Sequence, residues 1–244
     1  MTAATESTAT AVPAPLPLPR LYEAGSEPTR WRGPGPQVWV VDSRGGSPVP
    51  AGSEAVLDAG ERNRAGLYRL EEHRRTYVAT HVALRMLLGG YLEQDPAAVR
   101  LVREDCPGCA KPHGRPAVAG HPVHFSVSHS AGVAVLAFAG TPVGVDIETR
   151  PALDALPHLV PRLHVRERAE LASLPPGRRA AAFAMCWTRK EAYLKGLGIG
   201  LARELDRDYV GTGSEAAAVP GWTLSDFAAP YGFTAACAVR DEAR

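Results

Sequence analysis

Two carboxylates stand two residues apart in "PVGVDIETR", residues 142–150: Asp146 and Glu148. Val143 to Ile147 reads as a buried strand, and residues i and i+2 of a strand point to one face. The acids would then stand side by side, about 7 Å apart or less at the backbone. Like charges so placed repel, and burial sharpens the repulsion. Taken alone, such a pair is open to reading as a solvated strand edge or as a salt-bridge partner. A second stretch, "AAFAMCWTRKEAYLKGLG", reads as a helix that brings Trp187, Glu191 and Lys195 onto one face at i, i+4 and i+8. Glu191 and Lys195 alone are an ordinary helical ion pair worth a few tenths of a kcal/mol. The sharper reading joins the two stretches. Asp146, Glu148 and Glu191 meet as three hard oxygen donors with open positions, which suits Mg²⁺ and a phosphate-bearing substrate. Lys190 and Lys195 beside them are then phosphate clamps.

Other cation and hydroxyl groups extend this chemistry. In "HFSVSHSAG", Ser128 and His129 sit at a strand end entering a turn, where a hydroxyl and an imidazole can hold a phosphate oxygen. They are a poor nucleophile pair, because adjacent strand residues face opposite ways and no G-x-S-x-G elbow is present. In "HGRP", Arg115 stands between a glycine and a proline, a stiff turn that projects a fixed cation. Arg64 and Arg75 share a face only if the helix carrying them is continuous; otherwise, with Arg62, Arg69, Arg74 and Arg85, they form a solvated basic face. "CPGC" with His113 resembles half a zinc site, Cys106–Cys109–His113, for which no fourth ligand is evident. Cys186 and Cys237 lie in apolar runs and read as core residues.

These residues need a scaffold, and the chain supplies one. It has 244 residues, 45% apolar and 22% charged, an ordinary globular composition. A net charge of +1 gives no bulk argument for nucleic acid. Four cysteines are too few for a disulfide scaffold. No run of about 18 apolar residues suggests a membrane span. The Ala/Thr/Pro-rich start lacks the pattern of a secretory signal, so a cytoplasmic protein is expected. Residues 1–35 read as disordered. "QVWVVD" reads as a strand, residues 53–92 as helix with a break near Gly66, and "VHFSVSHS", "VAVLAFAG" and "VGVDIE" as an antiparallel meander. Residues 166–174 and 177–196 read as helices, the second stopped by Gly196, and "DYVGT", "GWTLSDF" and "YGFTAACAVR" as strands. The order suggests a repeated α+β plan with a joint near residue 141, giving halves at 36–140 and 141–244.

The ordered motifs "HRRTYVATHVALR", "HGRP", "HFSVSHS", "VGVDIE" and "WTRKEAYLKGLGIGL" resemble the Sfp-type 4′-phosphopantetheinyl transferases. The resemblance covers residues 57–237; the Pro-rich start has no family counterpart. It implies two similar α/β halves related by a pseudo-two-fold axis, each with a small, mostly antiparallel sheet on helices, and coenzyme A in the cleft between them. It implies that Asp146, Glu148 and Glu191 bind Mg²⁺. Ser128 and His129 match residues that hold the 3′-phosphate of coenzyme A, and Arg115 a position that binds the same molecule. Lys190 and Lys195 match lysines beside the pyrophosphate, and Arg64 and Arg75 fall where the family has basic contacts to the nucleotide. The implied reaction is transfer of 4′-phosphopantetheine to a serine of an apo acyl or peptidyl carrier protein, releasing 3′,5′-ADP, by a monomer of the holo-[acyl-carrier-protein] synthase type, with Glu191 and Lys195 as catalytic groups. An Mg²⁺-dependent phosphohydrolase would need only the acids and cations. A non-catalytic coenzyme A or carrier-binding module would not need the acid cluster.

Overall fold

The structure, a computed structural model, describes residues 18–26, 28, 35–120, 122–199 and 203–242. The strands are β1 (Arg20–Leu21), β2 (Gln37–Asp42), β3 (Leu101–Arg103), β4 (Pro116–Val118), β5 (His124–Ser130), β6 (Val133–Ala139), β7 (Val143–Thr149), β8 (Trp222–Asp226) and β9 (Phe233–Arg240). The helices are α1 (Ala59–Gly66), α2 (Glu71–Leu92), α3 (Leu156–Leu159), α4 (Val165–Ser173) and α5 (Pro176–Leu197). One sheet has the order β1-β2-β6-β5, a second β7-β9-β8, and β3 and β4 form a separate hairpin. Among the described residues, only β1 and β2 pair in parallel.

The alternation of side chains along the strands builds a four-layer α/β/β/α stack. On β2 and β6, Trp39, Val41, Ala134, Leu136 and Phe138 face α2. Their neighbours Val38, Val40, Val133, Val135 and Ala137 face the other way and meet Val143, Val145, Ile147, Ala235 and Cys237 of the second sheet. The far face of that sheet, with Ala236 and Ala238, packs on α5. One 22-residue helix thus packs against the outer face of each of these two sheets. This is the expected α+β architecture. Cys186 and Cys237 are buried core residues. Among the described residues, no helix is long and apolar enough to cross a membrane.

Several local expectations are corrected. β7 does not continue a meander: β6 is already flanked by β2 and β5, and β7 pairs with β9 in the other sheet. The expected disordered stretch 1–35 lies largely outside the described residues. Within its described part, Arg20 and Leu21 pair with Trp39 and Val40, and Tyr22 is buried. Arg64 and Arg75 are not on one helix, because α1 ends at Gly66 and α2 begins at Glu71. Arg85 is no solvated cation. It is buried, donates to Glu61 and Asp58, and so ties α2 to the Asp58/Glu61 capping box of α1. "DYVGT" forms no strand. Its Val210 and Thr212 amides donate instead to the Glu167 and Glu170 carboxylates of α4. Finally, α5 stops at Gly198, whose φ of 77° is the left-handed cap, and Gly196 stays inside the helix.

Candidate active site

The strand β7 is an edge of its sheet, and β5 is an edge of the other; at this seam the two come together. Ser126, Ser128 and Ser130 lie at alternate positions of β5 and stitch it to β7. The Val145 amide donates to Ser126 Oγ at 3.1 Å, satisfying an edge donor that has no strand partner. Ser128 Oγ donates to Asp146 Oδ1 at 2.7 Å, and Ser130 Oγ to Glu148 Oε2 at 2.9 Å. The alternating serines of "HFSVSHS" carried that signal, though the sequence reading singled out only Ser128.

Helix α5 reaches this seam because two glycines let it. A methyl group at Gly144 of β7 would lie 1.9 Å from the Ala192 carbonyl oxygen and 2.4 Å from the Gly196 nitrogen. A methyl at Gly196 would meet the Trp222 ring at 2.5 Å. With both side chains absent, the last turns of α5 lie directly on β7. Trp187, Glu191 and Lys195, one face of α5, then line a pocket of about 350 Å³ together with Val127, Ser128, His129, Asp146 and Glu148.

The electrostatics of that pocket are unbalanced. Lys195 Nζ donates to Asp146 Oδ1 at 2.6 Å and to Ser128 Oγ at 2.8 Å. Asp146 Oδ2 is buried without a hydrogen-bond partner among the described residues. Burial, and then the charge of Asp146, push the Glu148 and Glu191 carboxyls above their ordinary range. Three carboxylates share one pocket with one lysine, and one buried oxygen is orphaned, an arrangement that a bound cation would relieve. The donor chemistry fits Mg²⁺. The acids line a common wall without being gathered into one tight set; among the described residues, only Cys106, Cys109 and His113 have ligand atoms all within 4.8 Å of one another.

A larger cavity of about 490 Å³ adjoins the acidic pocket and shares Val127, His129 and Lys195 with it. Among the described residues its wall carries Arg64, Arg103, Arg115 and Lys195, and no carboxylate. Arg115 is aimed by two contacts: its Nε lies 2.8 Å from Glu104 Oε2, and its Nη1 donates to the Gly196 carbonyl at 2.7 Å. That second bond ties "HGRP" to the end of α5. Arg103, Tyr77 and His81 also line the cavity and were not singled out in the sequence. His81 stacks on Tyr77 with ring centroids 4.1 Å apart and lies 3.1 Å from Glu61. Their helical spacing on α2 was legible, but an inward-facing histidine reads no differently from a core one. Burial and the Lys195 charge hold His129 below its ordinary pKa, so it is neutral at pH 7.

All the expected site residues therefore line one of the two spaces, except Arg75 and Lys190. Arg75 Nε donates to the Ser43 carbonyl at 3.1 Å, fastening α2 to the turn after β2. Lys190 is buried on the far side of α5, paired with Glu167 at 2.8 Å, and donates to the carbonyls of Leu205 and Asp208. The expectation of a pyrophosphate clamp at Lys190 is corrected by helical geometry. Lys190 is five residues from Lys195 and one from Glu191, so it cannot share their face. Ser128 is also engaged differently from expectation, its hydroxyl held between Asp146 and Lys195.

The comparisons agree with this geometry. Residues 142–230 match the family model of the 4′-phosphopantetheinyl transferase superfamily, a span that holds β7, α5 and all three acids. The chain is 35% identical over 191 residues to the 4′-phosphopantetheinyl transferase HetI of Nostoc sp., covering 76% of this chain and 79% of that protein. It is 27% identical over 142 residues to the 4′-phosphopantetheinyl transferase Sfp of Bacillus subtilis, covering 57% and 58%. A phosphopantetheinyl transferase of Thraustochytrium sp. is 29% identical over 194 residues, covering 70% of this chain and 64% of that protein. On the similarity to HetI and the matched segment that carries the acids, the chain belongs to the 4′-phosphopantetheinyl transferase family, of the Sfp type.

Proposed function

We propose that the protein transfers the 4′-phosphopantetheine group of coenzyme A to a serine of an apo acyl or peptidyl carrier protein, with Mg²⁺, releasing 3′,5′-ADP. The observation that carries this reading is the segregation of charge across one seam. A cationic cavity, whose described wall residues include no carboxylate, opens onto a pocket with three carboxylates, and Lys195 stands in both. A nucleotide needs the first environment, and a cation-bound pyrophosphate needs the second.

In this reading Arg64 and Arg115 hold the nucleotide end of coenzyme A, and the neutral imidazole of His129 donates to its 3′-phosphate. Asp146, Glu148 and Glu191 are the residues that would hold Mg²⁺. When bound, the ion supplies neutralising charge to the pyrophosphate and its leaving oxygen. The carrier serine attacks the β-phosphorus, the bond from that phosphorus to the oxygen bridging it to the α-phosphorus breaks, and 3′,5′-ADP departs. Lys195 stabilises the charge that develops on the departing oxygen. Glu191 accepts the serine proton. Ser128 and Ser130 position Asp146 and Glu148 for this work.

Intact-mass measurement of apo carrier proteins after incubation with the enzyme, coenzyme A and Mg²⁺ tests the proposal. The expected result is a gain of one phosphopantetheine per carrier. Coenzyme A consumed without a carrier would instead indicate a phosphohydrolase, and no gain across acyl and peptidyl carriers would overturn the proposal.

A further inference from the structure

The loop between β3 and β4 carries a second cluster that the transferase chemistry does not use. Cys106 Sγ, Cys109 Sγ and a His113 ring nitrogen all lie within 4.8 Å of one another. Cys109 Sγ is 2.9 Å from His113 Nε2. Both cysteines are free thiols, one buried and one exposed.

The backbone around them is wound to face the sulfurs inward. The Ala110 and Cys109 amides close back onto the Cys106 carbonyl at 2.7 and 3.2 Å. Ala110, directly after the second cysteine, has a φ of 56°, a left-handed conformation that a residue with a Cβ adopts only at a cost. Such strain persists where the surroundings over-determine it, and it clusters at ligand-holding turns. Two thiolates and one imidazole at C-x₂-C-x₃-H spacing are soft donors that suit zinc and not Mg²⁺.

The position of this loop gives the cluster a purpose. His113 and Arg115 line the cationic cavity, and Gly108 packs against Ile199 beyond α5. We propose that Cys106, Cys109 and His113 hold a zinc ion, with a water in the fourth position, and that the ion pins the loop which carries His113 and Arg115 to the cavity wall. Binding exchanges the two thiol protons for Zn²⁺ and leaves the three-ligand site with no net charge.

The test uses the full-length protein, equilibrated with Zn²⁺ and dialysed, and does not depend on transferase activity. Elemental analysis is expected to return about one zinc per chain. Cys109→Ser and His113→Ala, both at exposed positions, are expected to bring it well below half. Replacement by Co²⁺ in the wild type is expected to give a thiolate-to-cobalt charge-transfer band, a readout that holds even where a variant folds poorly. Chelation is expected to speed proteinase K cleavage within residues 105–113 several-fold, with the wild-type rate restored by Zn²⁺. Any one of four results would overturn the proposal: no zinc retained by the folded wild type, zinc unchanged in both variants, no charge-transfer band, or a Cys106–Cys109 disulfide in freshly purified protein. Zinc bound with no change in cleavage would overturn the pinning role.

Discussion

Replacing Gly144 with alanine should separate the two halves of the acid pocket. The added methyl would stand 1.9 Å from the Ala192 carbonyl oxygen and 2.4 Å from the Gly196 nitrogen. Both contacts are backbone atoms, so no side-chain rotation relieves them. The last turns of α5 must retreat by roughly 1.5 Å to restore ordinary van der Waals distance. Overpacking of this kind costs about 1–3 kcal/mol, and the backbone character of the clash sets the expectation near about 3. For a chain of this size that is a fall in Tm of about 6–12 °C. The retreat carries Glu191 and Lys195 away from Asp146 and Glu148, and a misplacement near 1 Å costs about 10²-fold in rate. The assay is carrier loading by intact mass, run well below the variant's melting point, beside a thermal melt. Gly140→Ala is the control, since a methyl there meets nothing within 4 Å and its φ is not in the left-handed region. Near-normal turnover in Gly144→Ala with an unchanged Tm would refute the close-approach reasoning.

Lys190→Ala leaves the buried Glu167 carboxylate without its lysine counter-charge. It should cost about 3–5 kcal/mol of stability while the KM for coenzyme A barely moves; a raised KM at an unchanged Tm would restore Lys190 to the substrate site. His129→Ala should weaken coenzyme A about tenfold and dephospho-coenzyme A far less, measured by calorimetry. His129 is neutral when free, and a bound phosphate raises its pKa, so wild-type affinity should gain on the variant as pH falls below 7. Glu148→Gln should abolish carrier loading yet raise the Tm of the ligand-free protein at pH 7. The folded-state pKa of Glu148 is raised, so its contribution to stability is present in acid and lost as pH rises through that value. The gain in Tm should therefore vanish near pH 4.

Much of this site was legible before the fold. Period-2 alternation located β2, β5 and β6, and the same-face rule joined Asp146 to Glu148 and Glu191 to Lys195. What periodicity could not supply was the partner of each strand. Val143–Ile147 is as apolar as a third meander strand would be, and only tertiary pairing with β9 assigns it to the second sheet. Charge sign also misled: Arg85 reads as a surface cation and Lys190 as a phosphate clamp, but their partners Glu61 and Glu167 are distant in sequence. Gly196 looked like a helix stop because glycine serves both caps and close packing, and the second use depends on Gly144, which is remote along the chain.

The convergence of Asp146, Glu148 and Glu191 on one cation is the claim on which the mechanism rests. Mn²⁺ titration followed by electron paramagnetic resonance, with coenzyme A present, measures it directly. The wild type should bind about one Mn²⁺ per chain at this site, as three carboxylates and a pyrophosphate predict. Asp146→Asn, Glu148→Gln and Glu191→Gln should each weaken that binding at least about tenfold while leaving the protein folded. Full Mn²⁺ affinity in all three variants would contradict the site.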